Sequence, residues 1–351
     1  MSDFQIQKIF KRDQVKLKKV EDLLQNNGIK LDGNLDYICG IFDEDNELLA
    51  TGSCFENTLR CVAVRNDLQG QGLLNQIVTH LLQIQQERGN FPVFVYTKVQ
   101  TQAFFKDLGF FPIANVKDKL VFMENRKAAF AKYLSQLSRE TNPTLFNTRA
   151  AIIMNANPFT LGHRYLIERA CQEVDWVDLF IVSEEASLIP FNVRKQLIQA
   201  GTADLKNLSF HHTGDYLISK STFPSYFLKD EDEVIQTQAQ LDIEIFKKIA
   251  HQIGITHRYL GEEPYSRVTE IYNQLMKSSL ELADIQVNII PRLKANHQYI
   301  SASLVRQALK EDKLEEIKEF LPFSTYNYFK SNSEAPKIIQ KIKSATNVIH
   351  Y

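Results

Sequence analysis

Three short stretches of this chain place chemically capable side chains at spacings that one helical turn brings together. In Asn157-Pro158-Phe159-Thr160-Leu161-Gly162-His163, a hydroxyl at 160 and an imidazole at 163 stand three residues apart and reach one side of a first helical turn. Gly162 removes the side chain that would keep a phosphate from the helix N-terminus, where free N–H groups and the helix dipole favour an anion. In Ile300-Ser301-Ala302-Ser303-Leu304-Val305-Arg306, Ser301 has the chemistry of an N-cap. Ser303 and Arg306 then lie one turn apart, a hydroxyl and a guanidinium fork suited to phosphate oxygens. The third stretch, Gln69-Gly70-Gln71-Gly72, is a glycine-rich loop able to present backbone N–H groups to a pyrophosphate at the start of the next helix. Taken singly, each is also explained as an ordinary helix start or glycine turn. The surrounding elements decide between the two.

Val15, Val20, Leu23 and Leu24 recur at helical spacing, and Asn26-Asn27-Gly28 ends that helix. Tyr37 to Phe42, Glu47 to Cys54 and Leu59 to Val64 read as an antiparallel meander. The glycine loop follows, then a helix carrying Leu73, Leu74, Ile77, Val78, Leu81 and Leu82, a strand at Phe91 to Tyr96 and a short helix at Thr101 to Leu108. Helical spacing returns from Arg126 to Ser138, and the polar stretch Ser138 to Asn147, with Pro143, marks a domain boundary. Ala150 to Met154 is apolar without alternation, as a parallel strand buried on both faces should be. Asp175 to Val182, Leu208 to His211, His257 to Leu260 and Ile285 to Ile290 continue the series between helical stretches, with Arg164 to Glu173 the first of these. The expected fold is α/β: an α+β domain over 1–125, a helical connector over 126–148, a doubly wound Rossmann-like domain over 149–330 and a tail over 331–351. Ligands of a doubly wound sheet bind beyond the carboxyl ends of its strands, where residues 155–163 fall. Gly261 and Glu262 fall there too, placed to meet ribose or adenine, and Arg194 offers either a further phosphate contact or an exposed helix cation.

Among 351 residues, 41 Lys plus Arg against 42 Asp plus Glu give a net charge of -1, which supplies no global basic field for a nucleic acid or an anionic membrane. No apolar run approaches the roughly 18 residues of a membrane span, and the N-terminus lacks a signal-peptide pattern, so a cytoplasmic protein is expected. Cys39, Cys54, Cys61 and Cys171 have no metal or disulfide spacing and read as buried small residues. His211, His212 and His297 have no carboxylate or Cys at a metal-site interval, so no protein-held metal is expected. Lys330 to Lys343 reads as a solvated helix face, which an acidic carrier protein could also use.

The order of elements up to residue 125, with Gln69 to Gly72 and Phe104-Phe105-Lys106-Asp107-Leu108-Gly109-Phe110, resembles the GCN5-related acetyltransferase superfamily, whose loop holds the pyrophosphate of coenzyme A. Leu74 departs from that superfamily's small residue. Thr160 to His163 and Ile300 to Arg306 resemble the T/H-x-G-H and I-S-S-T-x-V-R signatures of the nucleotidyltransferase superfamily, with Ala302 in place of a Ser. The pair of domains, together with Gly214 to Ser219, Thr222 to Phe227, Gly261-Glu262-Glu263-Pro264-Tyr265 and Tyr272-Asn273, resembles the citrate lyase ligase family over nearly the full length. That resemblance implies an ATP-dependent, AMP-forming ligase that adenylates acetate and passes the acetyl group to the thiol of a CoA-derived prosthetic group on the acyl carrier subunit of citrate lyase. It implies Thr160, His163, Ser303 and Arg306 as the groups stabilising charge on the phosphates, helped by Mg²⁺, with Asn157, Phe159, Gly162, Ser301, Arg194, Gly261 and Glu262 around the nucleotide. His163 and Arg306 are expected to stand outside the core. Gln69, Gly70, Gln71 and Gly72 would hold the prosthetic arm. Two other readings stay open on the residues: an adenylyltransferase acting on a phosphorylated cofactor precursor, and a non-catalytic ATP-binding regulatory module.

Overall fold

The computed structural model describes residues 5–345 except 143, 145, 184–186, 218–222, 225, 227, 229–230 and 263–266. Of the segments quoted above, Pro143, Leu145, Ile218, Ser219, Thr222, Ser225, Phe227 and Glu263 to Tyr265 lie outside the described residues. The chain divides into two compact units, Met1–Ala131 with Thr222–Glu244, and Lys132–Ser221 with Ile245–Tyr351. The second unit is thus discontinuous in sequence, which the expected boundaries did not include.

In the first unit the elements run β1 (Ile6–Lys8), α1 (Gln14–Asn26), β2 (Tyr37–Phe42), β3 (Leu48–Phe55), β4 (Thr58–Val64), α2 (Leu73–Glu87), β5 (Phe94–Thr97), α3 (Gln102–Asp107), β6 (Phe111–Val116) and β7 (Leu120–Glu124). Their sheet has the order β1-β2-β3-β4-β5-β7-β6, antiparallel throughout except between β4 and β5. The apolar face of α2, with Leu73, Ile77, Val78 and Leu81, packs with Cys39, Cys54, Leu59 and Val95 of the sheet. Val20, Leu23 and Leu24 of α1 join a second cluster with Ile38, Phe42 and Cys61, to which Tyr226 of the returning segment is added. Burial pushes the Cys39, Cys54 and Cys61 thiols up to about 12, as expected of packing residues. The feature that matters for binding is where pairing stops. β4 and β5 are joined only at Thr58↔Phe94 and Leu59↔Val95, and beyond those pairs the two parallel strands separate.

The chain passes between the two groupings along α4 (Ala129–Glu140) and α7 (Glu231–Ile253). The second unit comprises β8 (Arg149–Met154), α5 (Leu161–Glu173), β9 (Trp176–Ile181), α6 (Phe191–Gly201), β10 (Leu208–His212), β11 (His257–Gly261), α8 (Arg267–Glu281), β12 (Gln286–Ile290), the hairpin β13 (Lys294–Ala295) and β14 (Gln298–Tyr299), α9 (Ala302–Lys310), α10 (Phe323–Ser331) and α11 (Ala335–Ser344). Its sheet is parallel with the order β10-β9-β8-β11-β12. The chain moves outward from β8 in one direction, then returns to its other side, so the switch point lies between β8 and β11. Those two strands pair only at Ala150↔His257 and Ala151↔Arg258, leaving their carboxyl ends apart.

Several sequence expectations resolve into structural roles here. His211 is buried and its Nε2 lies 2.8 Å from Asp178, whose other oxygen accepts from Arg149 Nε at 2.5 Å. This Arg-Asp-His set spans three neighbouring strands inside the sheet. Asn296 and His297 both have positive φ and form the turn of the β13–β14 hairpin. The lysine-rich C-terminal stretch is more than a solvated face, because Ile338 and Ile342 of α11 belong to the core and Lys341 Nζ donates to the Ser187 carbonyl at 2.9 Å. Among the described residues no helix is long and apolar enough to cross a membrane, and no group of three or more His, Cys, Asp or Glu is arranged to hold a metal ion.

Candidate functional site

The loop leaving β8 enters the gap at the switch point and turns into α5 at Thr160. Thr160 has extended backbone and caps the helix: its Oγ1 accepts from His163 N at 3.4 Å, while Thr160 N donates to His163 Nδ1 at 3.1 Å. This is a capping box in which imidazole replaces the usual carboxylate or amide. The geometry settles the tautomer, since a nitrogen that accepts from a backbone N–H carries the lone pair, leaving the ring proton on Nε2. Burial first, then the positive charges of Arg292 and Arg306, pull the His163 pKa from 6.5 down to about 4. At neutral pH the side chain is therefore an uncharged N–H donor.

α9 starts beside it in the same way. Ser301 accepts from Leu304 N at 3.2 Å, and its hydroxyl is 3.0 Å from that of Ser303. The two helix starts face one narrow cleft of about 100 Å³, whose wall includes Thr160, Gly162, His163, Gly261, Glu262, Arg292, Ser301 and Ala302. Two N-termini with their free N–H groups and a neutral imidazole donor make a surface complementary to phosphate oxygens. A Cβ at Gly162 would come within 3.4 Å of the Ile300 carbonyl and 3.6 Å of Thr160 Oγ1, on the floor of this cleft.

The sequence-nominated residues divide into two layers. Thr160, Gly162, His163, Gly261, Glu262 and Ser301 stand on the cleft wall, and Ser303 is bonded to Ser301. The others lie behind it. Phe159 is fully buried, its ring centroid 6.1 Å from that of His163, and it fills the core under the imidazole. Asn157 Oδ1 accepts from Ile189 N at 3.0 Å, and its carbonyl accepts from Arg306 Nη1 at 2.5 Å. Arg306 is only 2% exposed, against the expectation that it would stand outside the core. Burial lowers its pKa to about 10, so it remains a cation at neutral pH, donating to the Asn157 carbonyl behind the wall. Arg194 is 0% exposed, so it is not the exposed helix cation that was one of its two expected roles. Its Nη1 donates to the carbonyls of Asn155 and Val182 at 2.9 and 2.8 Å, and its Nε to that of Ile189 at 3.1 Å. It thereby ties together the chain segments that leave β8 and β9. Arg292 was missed by motif reading. The one signal available was its place, two residues past the last strand of a doubly wound sheet.

In the first unit, the separation of β4 from β5 opens a cavity of about 500 Å³ walled by Val62, Val64, Gln69, Gly70, Gly72, Leu74, Tyr96, Lys98 and Tyr226 among others. Gly70 and Gly72 have φ of +83° and +82°, and Gly72 is the N-cap of α2. Only open space surrounds an added Cβ at either, so glycine is required there by the backbone conformation. Gln71 is not on the wall, and its N–H is turned into the Leu68 carbonyl at 3.3 Å.

Residues 149–329 match the family model of the citrate lyase ligase C-terminal domain. The chain is 37% identical over 322 residues to the citrate (pro-3S)-lyase ligase of Haemophilus influenzae, covering 90% of this chain and 96% of that protein. It is 35% identical to the protein of the same name from Escherichia coli K12, covering 90% and 91%. Among solved structures, an acyl-CoA N-acyltransferase from Pseudomonas aeruginosa aligns with 35% of this chain and 100% of its own at 16% identity and a TM-score of 0.30. An aminoglycoside 6'-N-acetyltransferase complexed with coenzyme A aligns with 35% and 98% at 12% identity and a TM-score of 0.31.

Proposed function

The chain belongs to the citrate lyase ligase family and is an enzyme of the ligase class, and on that premise we propose that it uses ATP to acetylate the prosthetic-group thiol of the acyl carrier subunit of citrate lyase, activating the lyase. The observation that carries this reading is the convergence of two helix N-termini, with Thr160, Gly162, His163, Ser301 and Ala302, on one cleft at the switch point of a parallel sheet.

Acetate is already ionised, so its attack on the α-phosphorus of ATP needs no general base. An oxygen–phosphorus bond forms to acetate, the bond to the bridging oxygen breaks, and pyrophosphate departs with the electron pair. What the protein must supply is alignment and stabilisation of the charge arriving on the departing oxygens. The free N–H groups of α5 and α9 and the Nε2–H of neutral His163 are oriented donors that need no reorganisation as that charge develops. Thr160 and Ser301 act through their caps, holding the two helix starts in place. In the second half-reaction the carrier thiol attacks the acetyl carbonyl, the thioester forms, and AMP leaves with the mixed-anhydride oxygen while the thiol proton goes to solvent.

Glu262 is the single carboxylate among the described wall residues, so this cleft does not fit a protein-held magnesium cage, and no step is assigned to such an ion. The cavity of the first unit, with its glycine loop and the half-buried ammonium of Lys98, suits a long arm bearing a pyrophosphate, and on this reading it holds the prosthetic group rather than acetylating from acetyl-CoA. The place of work is the cytoplasm, which supplies ATP.

The test is exchange of labelled pyrophosphate into ATP, with and without acetate and with no carrier protein present. Exchange is expected only with acetate. Equal exchange without any carboxylate overturns the ligase reading in favour of adenylyl transfer to another acceptor, and ATP binding with no exchange under either condition overturns it in favour of a binding module.

A further inference from the structure

The cleft is built to receive anions, yet neither of the two arginines nominated from the sequence stands on its wall. Arg194 and Arg306 are 0% and 2% exposed, and both donate to backbone carbonyls of the loops behind the wall. Among the described wall residues, the single lysine or arginine is Arg292. Its surroundings fix the backbone on both sides. On one side, Glu262 N donates to the Ile290 carbonyl at 2.9 Å, extending the β11–β12 pairing past the end of the sheet. On the other, Ile300 N donates to the Leu293 carbonyl at 3.0 Å, which closes the small hairpin and delivers the chain to the N-cap of α9. Arg292 is therefore held between two backbone bonds, beside both helix starts. A cation carried on so constrained a segment loses little freedom when it binds an anion.

We propose that Arg292 is the residue that binds the pyrophosphate portion of the nucleotide in this cleft, and that Arg306 positions the Asn157 loop instead of touching phosphate. This rests on the reading of the second unit as the adenylating site. A guanidinium adds what the helix ends lack: a full charge, and a planar fork that meets two oxygens of one phosphate group. The neutral state of His163 fits this division, with one uncharged donor and one fixed cation sharing the departing group, and no second charge competing for the same oxygens.

The experiment compares wild type with Arg292→Gln and Arg292→Lys, using inorganic pyrophosphate as the probe in titration calorimetry, acetate-dependent exchange as the kinetic readout, and thermal melts to establish folding. Arg292→Gln is expected to weaken pyrophosphate binding at least about tenfold and to slow exchange about 10²-fold, the loss usual for one preorganised charge-stabilising group. Arg292→Lys, which keeps the charge without the fork, should recover part of the affinity. If Arg292→Gln does not fold, Arg292→Lys decides by the same measure, since reduced affinity supports the assignment and wild-type affinity refutes it. A folded Arg292→Gln variant with wild-type pyrophosphate affinity overturns the assignment while leaving the adenylating site intact. Wild-type protein that binds no pyrophosphate and performs no exchange overturns the underlying reading itself.

Discussion

Replacing His163 by Asn separates the two jobs this side chain holds. The Oδ1 of Asn occupies nearly the place of the imidazole Nδ1, so the bond from Thr160 N at 3.1 Å and the capping box should survive. What is lost is the Nε2–H donor and the titration. The wild-type imidazole has its pKa depressed from 6.5 to about 4 by burial and by Arg292 and Arg306. Between those values the unfolded chain binds a proton that the folded chain refuses, so the stability contributed by this group is fully present above pH 6.5 and is lost as pH falls towards 4. At about 1.4 kcal/mol per tenfold, that drop corresponds to about 3 kcal/mol between neutral pH and pH 4. Urea denaturation of both proteins from pH 7 to pH 4 is the assay. The stability of His163→Asn relative to wild type should rise by about 3 kcal/mol across that range, because only wild type loses this contribution. The same variant should slow acetate-dependent exchange by about 10² to 10³-fold at pH 7, through loss of the donor. Two results would refute the reasoning: parallel pH–stability curves for the two proteins, which would mean an imidazole with an ordinary pKa, or wild-type exchange by the folded variant, which would remove His163 from the chemistry.

Two further outcomes follow from residues whose roles the fold reassigned or located. Arg194→Met should destabilise the second unit by about 3 to 5 kcal/mol in chemical denaturation, because it strands the carbonyls of Asn155, Val182 and Ile189 without their donor; a loss below about 1 kcal/mol would show that the loops find other partners. Gly70→Val and Gly72→Val place a β-branched residue at φ of +83° and +82°, so they should distort the loop and weaken acetyl transfer to the carrier, with acetate-dependent exchange nearly unchanged. Loss of both half-reactions together, or of neither, would refute the assignment of the arm to the first unit.

Much of the second unit's architecture is written in local sequence. Each β-strand expected there, from Ala150-Ala151-Ile152-Ile153-Met154 to the stretch ending at Ile290, lies within one or two residues of an observed strand, and the central β8 is apolar without alternation because it is buried on both faces. The helix starts at Thr160 and Ser301 depend on caps that reach three residues, so residue type and spacing were enough to bring Thr160 together with His163 and Ser301 with Leu304. In the first unit, the meander and α2 were legible for the same reason, while β1, β6 and β7 were not read. β1 is only three residues long and β6 carries a mixed burial pattern, and pairing is what makes the three into strands: β1 with β2, β7 with β5, and β6 with β7. Tertiary structure alone decided where the cations went. Arg194, Arg306 and Arg292 are the same residue type in sequence, and their roles differ because long-range packing buries the first two against carbonyls from distant segments and leaves the third on the cleft wall. The return of Thr222–Glu244 to the first unit, where Tyr226 completes a core with Val20 and Cys61, is of the same kind. Burial and partnership are set by which segments meet in three dimensions, and no spacing along one segment contains that information.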